Sequence, residues 1–181
     1  MIAKTNILIL NDFDGIYTIP SHEFLNDRTL AIIHDYEYRH LRDLLGAELY
    51  NEFTTDLVNG VPTTQKWTDF LDGKEYLSIN GCMLNYEGIK SFLVPLVWAD
   101  YILHAQNYQT NIGNVLPGAE NATNTGDFNL NRISNDAWNV GIEKYNECYM
   151  YLWTNISDFQ HFEIYFRKKL QRGLYNKITV R

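Results

Sequence analysis

Apolar residues recur at three- and four-residue steps through most of the chain, and this spacing predicts helices. Leu30, Ile33, Leu41, Leu44 and Leu45 mark a long first helix, with Ser21 or Asn26 placed to cap it. Gly46 interrupts the pattern, and a second segment carries Leu49, Phe53 and Leu57 before "NGVPTT" (59–64) breaks it. Trp67 and Phe70 centre a short helix over 64–71. In "GKEYLSINGCMLNY" (73–86), β-formers flank Asn80-Gly81, the dipeptide favoured by a tight hairpin turn. A buried helix is expected over 87–108, kinked or shifted at Pro95. Residues 110–129 read as a long polar loop rich in Asn and Gly. Trp138, Tyr145, Tyr149 and Leu152 then give an aromatic face to a helix over 131–155. A last helix is expected over 158–171, carrying Phe162, Tyr165 and Phe166 and ending near Gly173.

The two ends differ from this pattern. Residues 2–20 read as extended, with Ile7–Leu10 an arm or edge strand and a turn at Asp14-Gly15; "LYNKITVR" (174–181) alternates weakly. The fold expected is mainly α: one domain, a helical bundle with a short β-hairpin near 74–86 and extended N- and C-terminal arms. Residues 1–20 form the first arm, 21–171 the body and 172–181 the second arm.

Length and composition fit this reading. A chain of 181 residues with 45 % apolar residues, 13 Tyr, 9 Phe and 4 Trp can bury a core and is not wholly disordered. The most apolar run, "SFLVPLVWADYIL" (91–103), is shorter than the ~20 residues a bilayer requires and contains Pro95 and Asp100, so no membrane partner is expected. Cys82 and Cys148 lie far apart and share no metal spacing, which makes a reducing compartment the default.

Charge changes the picture more. The net charge of −7 rules out a generally basic surface for nucleic acid. Residues 164–181 hold six basic side chains (Arg167, Lys168, Lys169, Arg172, Lys177, Arg181) and no acids. The remaining 163 residues hold 9 basic and 22 acidic side chains, or −13. An acidic body with a basic tail suggests a tail that meets something negative, for instance a neighbouring copy.

One stretch looks like chemistry. "ILILNDFDGIYTIP" (7–20) places Asp12 and Asp14 in an Asp-x-Asp-Gly pattern after an apolar run, like the first motif of the haloacid dehalogenase phosphatases. That reaction needs strands alternating with helices, a downstream acid pair for magnesium and a lysine for the phosphoryl charge. Here one extended segment precedes helix after helix, no adjacent acid pair occurs, and Asn11 sets Asp12 one residue beyond the apolar run. The aspartates are better read as turn formers. Ile16 stands where a calcium loop needs an oxygen ligand. Glu37-x-x-His40 is half of a di-iron helix motif without its second half, and a polar interruption such as His34 and Glu37 usually packs at an interface or bonds a neighbouring helix. No cofactor, metal or catalytic set is expected.

The most informative stretch is 13–53. Phe13, Gly15 and Tyr17 lead in; Tyr36-Glu37 runs through His40-Leu41; Leu44-Leu45-Gly46 and Leu49-Tyr50 follow. A second block joins "YEGIKSFLVPLVWADYIL" to "QTNIGNVLPGAENA", with Thr110, Gly113, Glu120 and Asn121 in a Thr-x-x-Gly loop and a Glu-Asn pair. Over roughly 10–155 this order resembles the head–tail connector (adaptor) proteins of tailed bacteriophages, in particular those of Bacteroides-type hosts and the crAss-like group. The resemblance implies a structural virion protein at the head–tail junction, made in the bacterial host cytoplasm. It implies a homo-oligomeric ring of about twelve copies that joins the portal to the next tail or ring protein. It also implies that the ring lines the channel for double-stranded DNA, without sequence specificity, where an acidic wall lets DNA slide. The interface elements expected are the 110–129 loop with Thr110, Gly113, Glu120 and Asn121, and the basic tail with Arg167, Lys168, Lys169, Arg172, Lys177 and Arg181. A head-completion or stopper protein of the same region is the alternative, and the phosphatase using Asp12 and Asp14 a distant third.

Overall fold

A computed structural model describes residues 6–19, 26–105, 108–110, 113–115 and 127–162. Two 3-10 turns, Leu10–Asp12 and Gly15–Tyr17, precede the first helix, α1 (Asn26–Asp56). The short strands β1 (Leu57–Val58) and β2 (Val61–Pro62) lead to α2 (Gln65–Asp72). Strands β3 (Lys74–Leu77) and β4 (Met83–Tyr86) lead to α3 (Lys90–Ala105). Then come β5 (Tyr108–Thr110), β6 (Gly113–Val115) and α4 (Asp127–Thr154). The mainly helical fold with a hairpin at 74–86 is as expected.

The core lies where α1, α3 and α4 meet. Six of the seven residues from Phe92 to Trp98 are buried, so α3 is apolar on nearly every side and occupies the centre. It runs through Pro95 as one element, not as two. Helix α4 approaches it closely at Gly141, where a Cβ would lie 2.6 Å from Cγ of Leu96. Ser134 of α4 donates to the carbonyl of Ala99 at 2.7 Å, so that its buried hydroxyl is satisfied. Beneath α2 an aromatic cluster gathers: Trp67 stands 4.9 Å from Phe53 and 5.3 Å from Phe159, ring centre to ring centre. Such edge-on and tilted pairs add to the area they bury.

Gly46 breaks α1 as its position in the pattern predicts. Its backbone, at φ 74° and ψ 175°, is not helical, and the helix turns there. A side chain would be strained at that φ, although nothing lies within 4 Å to obstruct it.

The N-terminal segment is not an edge strand. It is extended at Ile9, makes two tight turns and lies in the core, with Ile7, Leu8, Phe13 and Ile19 buried. Instead of a partner strand, a helix side chain receives its amides. Glu37, fully buried on α1, accepts from the Ile7 amide at 3.2 Å and from the Leu8 amide at 2.9 Å. His34, one turn earlier, donates Nε2–H to the Leu8 carbonyl at 3.1 Å. The polar interruption read in the sequence therefore bonds the arm, not a neighbouring helix.

Other expectations shift at element ends. Residues 108–110 pair with 113–115, Thr110 opposite Gly113, so part of the anticipated 110–129 loop is a small antiparallel ladder. Helix α4 starts at Asp127, four residues before 131. Residues 158–162, expected to open a last helix, form turns instead. The 158–171 helix otherwise lies outside the described residues, as do the 174–181 arm and the cap at Ser21.

Two substitutions test these constraints. Glu37→Ala leaves two buried amides without an acceptor and should cost about 2–4 kcal/mol. Urea unfolding should read this loss, and hydrogen exchange at Ile7 and Leu8 should accelerate. Gly46→Ala should cost about 1–3 kcal/mol through backbone strain alone, with circular dichroism unchanged below the transition.

Candidate functional site

Of the residues that suggested chemistry, Asp12, Glu37 and His40 are engaged in holding the fold. Asp12 accepts the Ile9 amide at 2.8 Å through one oxygen and pairs with Lys90 at 2.8 Å through the other. Asp14 sits exposed at the start of the second 3-10 turn. Neither aspartate ends a strand, and every strand pair among the described residues is antiparallel. Glu37 and His40 face different partners: Glu37 takes the arm, while His40 bonds Asp100 at 3.0 Å and stands edge-on to Trp138. Among the described residues no three His, Cys, Asp or Glu side chains group closely enough to hold a metal.

Cys148 is buried, and its thiol donates to the Tyr86 hydroxyl at 3.3 Å, which in turn donates to the carbonyl of Phe70 at 2.9 Å. Burial pushes both the Cys148 thiol and the Tyr86 hydroxyl well above their ordinary values. A thiol held protonated in this way is a packing group. Cys82, by contrast, is exposed at the β3–β4 turn.

What the fold presents outward is apolar surface. In the β3–β4 hairpin, Tyr76 and Tyr86 point into the core, while Leu77 and Met83 pair across the strands on the opposite face. Those two are 59 % and 62 % exposed, and Ile79 at the turn is 67 % exposed. The turn itself follows the Asn-Gly signal: Ser78 accepts the Gly81 amide at 2.9 Å, and Gly81 has φ 78°. The β1–β2 hairpin does the same on a smaller scale. Val58 and Val61 are paired and exposed around Asn59-Gly60, both at positive φ. This second hairpin was missed in the sequence, although it carries the same dipeptide signal. Two-stranded ladders of this kind leave backbone edges free to pair.

Helix α4 has a second outward surface of different character. Ile133, Asp136, Val140, Glu143, Glu147 and Met150 fall on one stripe about 100° wide and about 26 Å long. All six are exposed. Glu147 pairs with Lys144 at 3.1 Å, whereas Asp136 and Glu143 make no ion pair among the described residues. The stripe is apolar at its ends and acidic between them. Its sequence signal is weak beside the aromatic face of the same helix. That face is core: Trp138, Tyr145 and Leu152 are buried.

Of the interface residues expected, Thr110 and Gly113 are brought together across β5 and β6. Glu120, Asn121, Arg167, Lys168, Lys169, Arg172, Lys177 and Arg181 lie outside the described residues. The chain passes toward that basic tail through Phe162, whose ring packs 5.1 Å from Tyr149 of α4. Lys66 fixes the same passage, pairing with Glu52 and donating to the Asp158 carbonyl at 3.2 Å.

These features define a helical domain in which the buried polar side chains are satisfied among the described residues and the surface carries exposed hairpins and a long acidic–apolar helix stripe. Residues 41–165 match the model of a family of unknown function, DUF6712, which covers 125 of the 181 residues; the chain belongs to that family. No curated protein and no solved structure matches it. Among the described residues, no helix is long and apolar enough to cross a membrane.

If the hairpin face is a docking surface and not core, replacing it should not disturb folding. Leu77→Thr with Met83→Thr keeps strand-forming side chains and should change unfolding free energy by less than about 0.5 kcal/mol. A larger loss in urea unfolding would place these residues in the fold's own packing.

Proposed function

We propose that this protein is a structural subunit of a tailed-phage virion: an adaptor that forms a ring joining the portal to the next tail component and lining the DNA channel. The observation that carries the reading is the presence of two unlike outward surfaces on one small domain. One is the apolar β3–β4 hairpin, and the other is the acidic–apolar stripe of α4. Subunits of a closed ring meet head to tail, so each presents a different surface to each neighbour. Apolar patches left exposed on a small domain mark interaction sites.

Charge supports the same reading. The described residues hold 19 acidic and 8 basic side chains, or −11. An acidic channel wall repels the phosphate backbone and keeps DNA moving. The ordered resemblance of 13–53 and of the Thr110–Gly113 region to phage connector proteins supplies the particular class, and the virion is the location that goes with it. Strand addition on the free hairpin edges is one way such a subunit would grip the portal.

The test is electron microscopy of the protein mixed with its portal. A ring seated beneath the portal is the expected result, whereas a monomer hydrolysing p-nitrophenyl phosphate in magnesium would overturn the reading. Deleting residues 172–181 should weaken attachment to the portal or to the next ring. Leu77→Thr with Met83→Thr should lower recovery in the portal complex.

A further inference from the structure

The α4 stripe and the basic tail are complementary in charge and in order. Along α4, Met150 is followed backward by Glu147 and Glu143, then Val140, then Asp136. Along the tail, Ile164, Tyr165 and Phe166 are followed by Arg167, Lys168 and Lys169, then Leu170, then Arg172. Set antiparallel, the two sequences put apolar against apolar and base against acid at each step. Nine extended residues reach about 30 Å, enough for a stripe about 26 Å long.

We propose that residues 164–172 of one copy dock on the α4 stripe of the next copy. This rests on the ring reading and names one of its contacts. The occupant follows from charge: the tail section 164–181 carries +6 and the described body −11. Phe162, beyond the end of α4, packs against Tyr149, which lies about 120° round that helix from Glu143 and so off the stripe. Tail and stripe are unlike patches, and a contact between them repeats head to tail around a ring. Acid–base pairing would set its register and make it sensitive to salt.

Disulfide trapping tests this in the full chain. In a Cys82→Ser background, Asn139→Cys places a thiol beside the stripe and Gln171→Cys places one in the tail. Neither change removes a charge or an apolar contact used in the argument. The two proteins, each with one engineered thiol besides the buried Cys148, mixed with portal and oxidised, should form a heterodimer linked between positions 139 and 171. Asp136→Lys with Glu143→Lys should reduce that yield by about tenfold, and Lys168→Glu with Lys169→Glu in the partner protein should restore it. Portal-bound rings without the cross-link would overturn the contact while leaving the adaptor reading intact. A link formed only within a protein carrying both cysteines would also overturn it, showing the tail on its own helix. Absence of both ring and link would overturn contact and adaptor reading together.

Discussion

A carboxylate buried on a helix is costly unless its lone pairs are filled, and Glu37 is fully buried. Its oxygens accept the amides of Ile7 and Leu8, so backbone donors fill its lone pairs. The dependence runs both ways: without Glu37, the arm's buried amides have lost their acceptor, and without the arm, Glu37 has lost two donors. The arm in turn sets Phe13 and Ile19 into the core and brings Asp12 to Lys90 at the start of α3. Tyr17 stands edge-on to Trp98, 5.5 Å between centres. One carboxylate thus ties the N-terminal segment, α1 and α3 into a single unit.

With the interior closed in this way, the exposed apolar groups are the features left to explain. Among the described residues no buried side-chain nitrogen or oxygen lacks a hydrogen-bond partner. Asp12, Glu37 and His40 act as a turn brace, a clamp and a packed hydrogen-bonding group. The apolar atoms that remain outside are concentrated on hairpins and on one helix face. Those are the geometries that accept an added strand or an amphipathic segment.

Helices were legible because their period reports burial directly. Trp67 and Phe70 marked α2, and Gly46 marked the break in α1, where a positive φ is needed. The Asn80-Gly81 turn was legible for the same reason, since its backbone requires a positive φ at Gly81. Its twin at Asn59-Gly60 was read only as a break, because two-residue strands leave no alternation to detect. The arm's place in the core was not legible. Its bonds run 29 and 30 residues along the chain to a glutamate side chain, and no local pattern encodes that. The α4 stripe escaped notice because acids and apolar residues alternate on it, so neither charge nor hydropathy stands out alone.

In the proposed ring, the mixed character of that stripe is what would suit it to assembly. A purely charged face would keep copies apart, and a purely apolar face of this length would associate without register. Acids spaced between Ile133, Val140 and Met150 leave enough apolar area to bind, and they repel any second acidic body that approaches it. A partner with basic residues in matching order turns that repulsion into attraction. The chain carries such a sequence in its own tail, so in the proposed ring the choice of partner and the direction of assembly follow from one pattern of charge.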